Sequence, residues 1–310
     1  MDLCTGAATI ERSARHAIHA SRSEREAGLS QRDFGRLSAF VHEHCGIKLP
    51  PSKKTMLEAR LRRRLRALDF KTYDDYCDYL FGPEGRKEEI VRMIDLVTTN
   101  KTDFFREPAH FEFLVRNCLP ELCEAGRGGG WRRLSVWSAG CSTGEEPYTL
   151  AMVLSEFAEA RPGFRFSVLA TDISTKVLEK AALGIYDEER IDPVPAAMKR
   201  KYLLKSRDRS KGLVRVAPAL RGLVEFRRLN LMDEDFGLRE RVDIIFCRNV
   251  IIYFDKATQE ALVNRFASHL APGGYLFLGH SETLCGMEAP LVQMAPTVYR
   301  RPDWAETGRG

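Results

Sequence analysis

The spacing of apolar residues changes period once along the chain. Between Ser30 and Val97 they recur at helical intervals: Phe34, Leu37, Phe40 and Val41, then Leu57, Leu61, Leu65 and Leu68, then Ile90, Met93, Ile94 and Val97. Ser30 suits a helix N-cap and Gly46 a stop. Pro50-Pro51-Ser52 suits a start, and Thr72 a cap for a helix over 73–81. Residues 30–97 are therefore predicted to form an all-α N-terminal domain. Beyond Trp131 strands and helices alternate. Strands are predicted at Leu134–Ser138, Phe166–Thr171, Val224–Leu229, Val242–Cys247 and Tyr275–Gly279, and helices at Glu145–Ala160, Ser174–Leu183 and Lys256–Leu270. That alternation predicts an α/β, doubly wound, Rossmann-like domain over 131–303. A final antiparallel pair is expected at Leu291–Met294 and Thr297–Arg301. Ile191 to Gly222 interrupts the alternation and is predicted as a small antiparallel β insertion, with strand pieces at Lys201–Lys205 and Gly212–Val216.

Two stretches lie outside these patterns. Residues 1–29 read as a tail, in which a weak helix around Ile10 to Ala20 is the most that its few apolar residues support. Residues 98–130 hold a polar connector around Phe104-Phe105, a helix from Ala109 to Cys123 and a glycine-rich loop over Gly126 to Gly130.

Composition narrows the class without naming it. The chain has 310 residues, 44% hydrophobic and 29% charged, as expected of a soluble protein of about two domains. No apolar run reaches the ~18 residues of a membrane span, so no membrane insertion is expected. The eight cysteines form no Cys-x-x-Cys pair, which predicts free thiols in a reducing cytoplasm and no metal site. The net charge of +5 is unevenly spread. Lys53 to Arg66 holds seven Lys/Arg against Glu58 alone. Such a face is either solvated or made for an acidic partner.

Candidate chemistry gathers where predicted strands end, the edge at which open α/β sheets bind ligands. The first strand runs into Ser138-Ala139-Gly140-Cys141-Ser142-Thr143-Gly144-Glu145-Glu146. Its small residues let a ligand approach the backbone closely. The spacing Gly140 to Gly144 misses the dinucleotide pattern, and Glu145-Glu146 stand where a phosphate loop needs Lys-Ser/Thr. Two carboxylates repel phosphate and favour a cation or hydroxyls, so a sulfonium nucleoside suits the turn. A tight turn whose acids complement the helix dipole is the alternative. Asp172, ending the second strand, can accept ribose hydroxyls or cap a helix. Asn230 can read a base or make a turn. Arg248-Asn249 follow the strand Val242–Cys247, with Tyr253 close behind and Gly279-His280-Ser281-Glu282 after the next strand. His280 suits a supporting hydrogen bond better than a base.

Together Asn100-Lys101-Thr102-Asp103-Phe104-Phe105-Arg106, Ser138 to Tyr148, Phe246-Cys247-Arg248-Asn249-Val250 with Tyr253-Phe254-Asp255, and Gly279 to Glu282 resemble the chemotaxis receptor protein-glutamate O-methyltransferases (CheR type). The resemblance covers residues 30–301. It implies transfer of a methyl group from S-adenosylmethionine to glutamate side chains of chemoreceptors, leaving S-adenosylhomocysteine. By similarity, Asn100, Thr102, Arg106, Glu146, Asp172, Asn230, Leu231, Arg248 and Asn249 match cofactor-contacting positions, and Arg106 and Tyr253 match the pair near the transferring methyl. The basic face (Arg60, Arg62, Arg63, Arg64, Arg66) then gains an acidic partner, the Glu-rich receptor helices. In some members the β insertion docks a receptor C-terminal tether peptide. Here its turn, Ser206 to Gly212, is charged where tether-binding members are glycine-richer. A monomer recruited from the cytoplasm to receptor arrays, with no nucleic-acid partner, is the expectation. A methyltransferase for another protein or for nucleic acid, and a non-catalytic adaptor, are the alternatives. Arg248-Asn249-Val250 stands where amino-methylating enzymes for bases carry an Asn/Asp-Pro-Pro-Tyr/Phe-like segment.

Overall fold

The computed structural model describes residues 28–83, 85, 88–125 and 133–303. The expected helix at Ile10 to Ala20 and the loop at Gly126 to Gly130 lie outside the described residues. The chain divides into two compact units at Thr98/Thr99.

The first unit contains helices α1 (Gln31–Cys45), α2 (Lys54–Ala67), α3 (Tyr73–Phe81) and α4 (Glu89–Val97). The expected caps are in place. Ser30 Oγ accepts from Asp33 N, Thr72 Oγ1 accepts from Asp75 N, and Gly46 ends α1 at φ 70°. Pro51–Lys53 forms a 3₁₀ turn before α2. The apolar stripes meet in a core of Phe34, Leu37, Val41, Leu57, Leu61, Leu65, Met93 and Val97. Leu29, placed by sequence in the tail, is buried in this core. Glu89 on α4 is buried too, and Arg64 and Tyr76 satisfy it: Arg64 Nη2 is 2.5 Å from Oε2, and Tyr76 Oη donates to Oε1 at 2.9 Å. Arg60 Nη1 donates to Leu96 O (2.7 Å) and Thr98 O (3.1 Å). Two of the five arginines expected on a docking face thus turn inward and tie α2 to α4. Arg62, Arg63 and Arg66 are exposed.

The second unit begins with the connector and a helical run that sequence reads as continuous. The run is α5 (Pro108–Phe113), a π turn over Leu114–Cys118, and α6 (Leu119–Ala125). Pro120 lacks the N–H that would bond the Arg116 carbonyl, and the widened turn lies just before it.

The alternation that follows forms a seven-stranded sheet: β1 (Leu134–Ala139), β2 (Phe166–Asp172), β6 (Val224–Arg228), β7 (Val242–Cys247), β8 (Leu270–Leu278), β9 (Val292–Ala295) and β10 (Val298–Arg300). The order is β6-β2-β1-β7-β8-β10-β9. Pairs from β6 to β8 are parallel, and β10 and β9 close the edge antiparallel, as expected. Helices α7 (Glu145–Glu159), α8 (Thr175–Leu183) and α11 (Lys256–His269) connect the strands. Every residue of β7 is buried, the pattern of a central parallel strand. The chain winds outward through β2 and β6, then restarts at β7 beside β1. The switch point is therefore between β1 and β7, and a ligand crevice is expected beyond their carboxyl ends.

The insertion is a second, antiparallel sheet of β3 (Ile185–Asp187), β4 (Leu203–Lys205) and β5 (Leu213–Val216), in the order β3-β5-β4. It is larger than sequence indicates. Because β3 pairs with β5, the insertion begins at Ile185, not Ile191. A three-residue strand is too short to leave a period. A helix, α9 (Ala196–Tyr202), occupies the start of the expected Lys201–Lys205 strand, so that β4 begins only at Leu203. Ala196-Ala197-Met198-Lys199-Arg200-Lys201 are good helix formers placed after Pro195. A short helix α10 (Pro218–Arg221) leads back to β6.

Candidate active site

The turn after β1 is held by hydrogen bonds to β2 and by close packing. Gly140 N and Cys141 N both donate to Thr171 O, at 2.8 and 2.9 Å. Gly140 (φ 83°) leaves no room for a Cβ, which would lie 2.5 Å from Val250 Cγ2, and at Gly144 (φ 97°) a Cβ would meet Ala181 and the Tyr186 hydroxyl at 2.9 Å. The sequence reading gives these glycines to a ligand. The structure adds close packing and positive φ as reasons for glycine at both positions.

Asp172, at the end of β2, accepts Ser142 N and Ser174 N, each at 2.9 Å. It does not cap α8; Ser174 does, through Val177 N. Asp172 therefore braces the turn after β1 and stays at the strand end where ribose binders place an acid. Asn230 Oδ1 accepts Met232 N at 3.1 Å, with Leu231 buried beside it.

Arg248 follows β7, is 6% exposed, and gathers partners from several elements. Its Nη1 lies 3.3 Å from Glu146 Oε2 and its Nη2 3.1 Å from Glu107 Oε2. Nη2 also donates to the Arg106 carbonyl, and the guanidinium stands 5.5 Å over the Phe111 ring. One cation thus joins β7, the helix after β1 and the connector. Ser138 Oγ donates to Glu146 Oε1 at 2.7 Å. Burial pushes the Glu146 carboxyl above its usual range, against the pull of Arg248 and Ser138. Glu107 is also raised by burial, but Arg248 and the His280 backbone N–H outweigh this and hold it low.

The connector lies against this cluster. Ser142 Oγ donates to Asn100 O (3.1 Å), Phe105 N donates to Thr149 Oγ1 (3.2 Å), and Phe104 and Thr102 are buried. Arg106 Nη1 donates to Lys101 O at 3.0 Å. Phe105 and Glu107 adopt φ of 52° and 55°, a strained backbone for residues other than glycine.

Asn249 (φ 58°) shares that conformation. Its side-chain Oδ1 is buried without a partner among the described residues. Tyr253 ends a 3₁₀ turn (Ile251–Tyr253) four residues on and is half-buried.

Glu282 closes the motif that begins at Gly279, and sequence assigns it no role. It is 3% exposed and accepts four backbone N–H groups: Gly279 (2.6 Å), Asn249 (2.9 Å), Val250 (2.9 Å) and Ile252 (3.3 Å). This one carboxylate shapes the loop that presents Arg248, Asn249 and Tyr253. The signal available is an acid three residues past a strand-ending glycine. His280, expected as a supporting residue, has a largely exposed ring, and its backbone N donates to Glu107 Oε1 at 3.3 Å. Glu107, His110 and His280 could together hold a metal ion. Arg248 already supplies the positive charge that Glu107 would draw.

Four carboxylates thus stand around the guanidiniums of Arg106 and Arg248: Glu107 of the connector, Glu146 of α7, Asp172 at the end of β2 and Glu282 after β8. The acidic excess favours a cationic ligand, and the lone Asn249 Oδ1 offers an acceptor to an N–H or O–H donor. An acidic crevice at the switch point of a Rossmann-like sheet defines a nucleoside-binding enzyme domain that avoids phosphate.

Known proteins agree with this class. The chain belongs to the CheR methyltransferase family: the model described as "CheR methyltransferase, SAM binding domain" matches residues 100–299, and "CheR methyltransferase, all-alpha domain" matches residues 32–98. It is 41% identical over 274 residues to the chemotaxis protein methyltransferase of Borreliella burgdorferi, covering 88% of this chain and 95% of that one. It is 39% identical over 271 residues to that of Escherichia coli, covering 87% and 91%, and 38% identical over 272 residues to chemotaxis protein methyltransferase 2 of Pseudomonas aeruginosa, covering 87% and 93%. The protein is an S-adenosylmethionine-dependent methyltransferase of chemotaxis. No helix among the described residues is long and apolar enough to cross a membrane.

Proposed function

We propose that the protein methylates glutamate side chains of chemoreceptors, using the crevice at the β1/β7 switch point. The convergence on Arg248 carries this reading: it joins Glu146 of α7 to Glu107 and the Arg106 carbonyl of the connector. Glu146, Asp172, Asn230, Leu231, Arg248 and Asn249 hold the methyl donor, with Asn100, Thr102 and Arg106 closing over it. Glu146 and Asp172 take the cationic and hydroxyl ends, and Asn249 Oδ1 accepts a hydrogen bond. S-adenosylmethionine supplies a methyl group on a positively charged sulfur. A receptor glutamate is ionised near neutral pH, its free pKa being about 4.3, so the acceptor needs no general base. Its carboxylate oxygen bonds the methyl carbon as the carbon–sulfur bond breaks, and the electron pair stays on sulfur. What the chain must supply is approach within about 3–3.5 Å and exclusion of water. Arg106 and Tyr253 orient the carboxylate by hydrogen bonding.

Two finer readings concern the partner. Arg62, Arg63 and Arg66 of α2 steer acidic receptor helices. A receptor C-terminal peptide adds a strand at β4, an edge of the three-stranded sheet; calorimetric titration with such peptides decides whether it binds. The enzyme acts as a cytoplasmic monomer at receptor arrays. Incubation with labelled S-adenosylmethionine and receptor-containing membranes should give an alkali-labile methyl ester. Alkali-stable label, or label in nucleic acid, would replace this reading with another methyltransferase.

A further inference from the structure

The β insertion reaches the site through two residues that sequence does not single out. Tyr186 of β3 donates from its hydroxyl to Thr143 O at 2.7 Å, and its ring meets Phe104 edge-on at 5.0 Å between centroids. Arg190 follows in a 3₁₀ turn, Glu188–Ile191. Its Nη2 donates to Glu145 Oε1 (2.5 Å) and to Thr102 O (2.6 Å), and its Nη1 to Asp103 Oδ1 (3.2 Å). Glu145 is 1% exposed and its other oxygen accepts Thr143 Oγ1 at 2.6 Å. One guanidinium therefore bridges the first residue of α7, beside the turn after β1, and two consecutive residues of the connector.

We propose that Arg190 is a positioning residue: it docks the connector at Thr102 and Asp103 onto the turn after β1, and so sets where Arg106 stands. The proposal rests on the functional reading of that crevice. The connector has no sheet or helix ladder to fix it before Pro108, so its backbone groups need other partners. The Thr102 carbonyl finds one in Arg190. Arg suits the task because its planar fork serves several acceptors at once, where Lys offers a single point charge. The base of the fork is itself fixed. Ile191 is buried, Glu188 N donates to Gly212 O at 2.7 Å, and the Glu188 carboxylate pairs with Lys205 of β4. The insertion thus works as a strut of the active site as well as a surface beside it.

Three variants test this. Arg190→Met strands the Glu145 charge, so Arg190→Met/Glu145→Gln is made beside it to remove that charge at similar volume. Arg190→Lys keeps the charge and loses the fork. Readouts are deuterium exchange over residues 100–106, the affinity for S-adenosylhomocysteine, kcat and the thermal midpoint. The expected result for the double variant is exchange faster by about tenfold and kcat lower by about tenfold or more, since small misplacements of reacting groups cost up to ~10²-fold. Its midpoint should stay within about 3 °C, and Arg190→Lys should fall between it and the wild type. Wild-type exchange and kcat in the double variant would overturn the proposal, because the residue would then serve only to neutralise Glu145. If the wild type failed to bind S-adenosylhomocysteine, the functional reading would fall, and the exchange data would still decide the role of Arg190.

Discussion

Arg248 and Glu107 lie 141 residues apart in the second unit, and their side chains meet at 3.1 Å. The pair does more than neutralise charge. Glu107 takes the Nε–Nη2 edge of the guanidinium and leaves Nη1 to Glu146, so the two carboxylates share one cation. Glu107→Gln should let Arg248 turn wholly to Glu146 and reduce the acidic excess. The expected result is weaker binding of S-adenosylmethionine by about tenfold, near 1.4 kcal/mol. Because the product lacks the sulfonium charge, S-adenosylhomocysteine should lose less. Calorimetry on both ligands checks this; equal losses would mean that Glu107 acts through shape alone.

Glu282 offers a test of the loop rather than of the ligand. Its carboxylate accepts four backbone N–H groups, and Glu282→Gln would replace one acceptor oxygen with an NH₂ group facing those donors. Leaving a buried donor unsatisfied costs about 1–3 kcal/mol. The variant should lose stability of that order in chemical unfolding and bind S-adenosylhomocysteine more weakly through the Arg248–Asn249 loop. A destabilised variant with unchanged affinity would separate the loop from the site.

His110 predicts a pH dependence. Burial, with Arg248 nearby, lowers its pKa to about 4, and its Nε2 lies 2.9 Å from Thr297 Oγ1. In the unfolded chain the value is about 6.5, so between these values the unfolded state binds the proton and the native state does not. Stability is therefore intact above about pH 6.5 and falls as the pH drops toward 4, by at most about 3 kcal/mol from this residue. Unfolding curves at pH 7 and pH 5 measure the drop, and His110→Gln should flatten it.

The inward turn of Arg60 and Arg64 divides the basic helix into two sets with different expected behaviour. Reversal to Glu at Arg62, Arg63 and Arg66 should lower kcat/KM for receptor by about tenfold at low salt and little at high salt, since surface charges are screened over about 10 Å at 0.1 M. The thermal midpoint should hold. Reversal at Arg64 should instead unfold the helical unit, because Glu89 would face a like charge at 2% exposure. Receptor methylation rates across ionic strength, beside melting curves, distinguish the two sets.

What the sequence disclosed follows the range of the interactions concerned. Caps at Ser30, Thr72 and Gly46 and the strands from β1 to β8 in the large sheet follow local rules, and they were legible. The strand ends were legible too, because the period stops there, and with them Glu146, Asp172 and Arg248. Three features were hidden because each depends on contacts across long stretches of chain. Arg248 meets Glu107, 141 residues away; Glu282 meets Asn249 of the loop after β7, 33 away; Arg190 meets Thr102, 88 away. The packing around the glycines of the first turn is illegible for the same reason: Val250 and Tyr186, which an added Cβ would meet, lie elsewhere in the chain.

Arg106 carries the sharpest test of catalysis. Its carbonyl accepts from Arg248 Nη2, while its own guanidinium reaches back to Lys101 O at 3.0 Å. Backbone and side chain thus have separate tasks. Arg106→Ala keeps the carbonyl bond, so the connector should stay in place. Removing the guanidinium takes away a charged donor able to align the acceptor carboxylate. A full Arg–carboxylate pair would also dampen the nucleophile, so the benefit of Arg106 lies in orientation. The expected outcome is loss of most activity, about 10²-fold in kcat/KM for receptor. Arg106→Lys should recover part of that loss. Near-wild-type methylation by Arg106→Ala in a purified receptor assay would remove Arg106 from the mechanism and leave the orienting task to Tyr253.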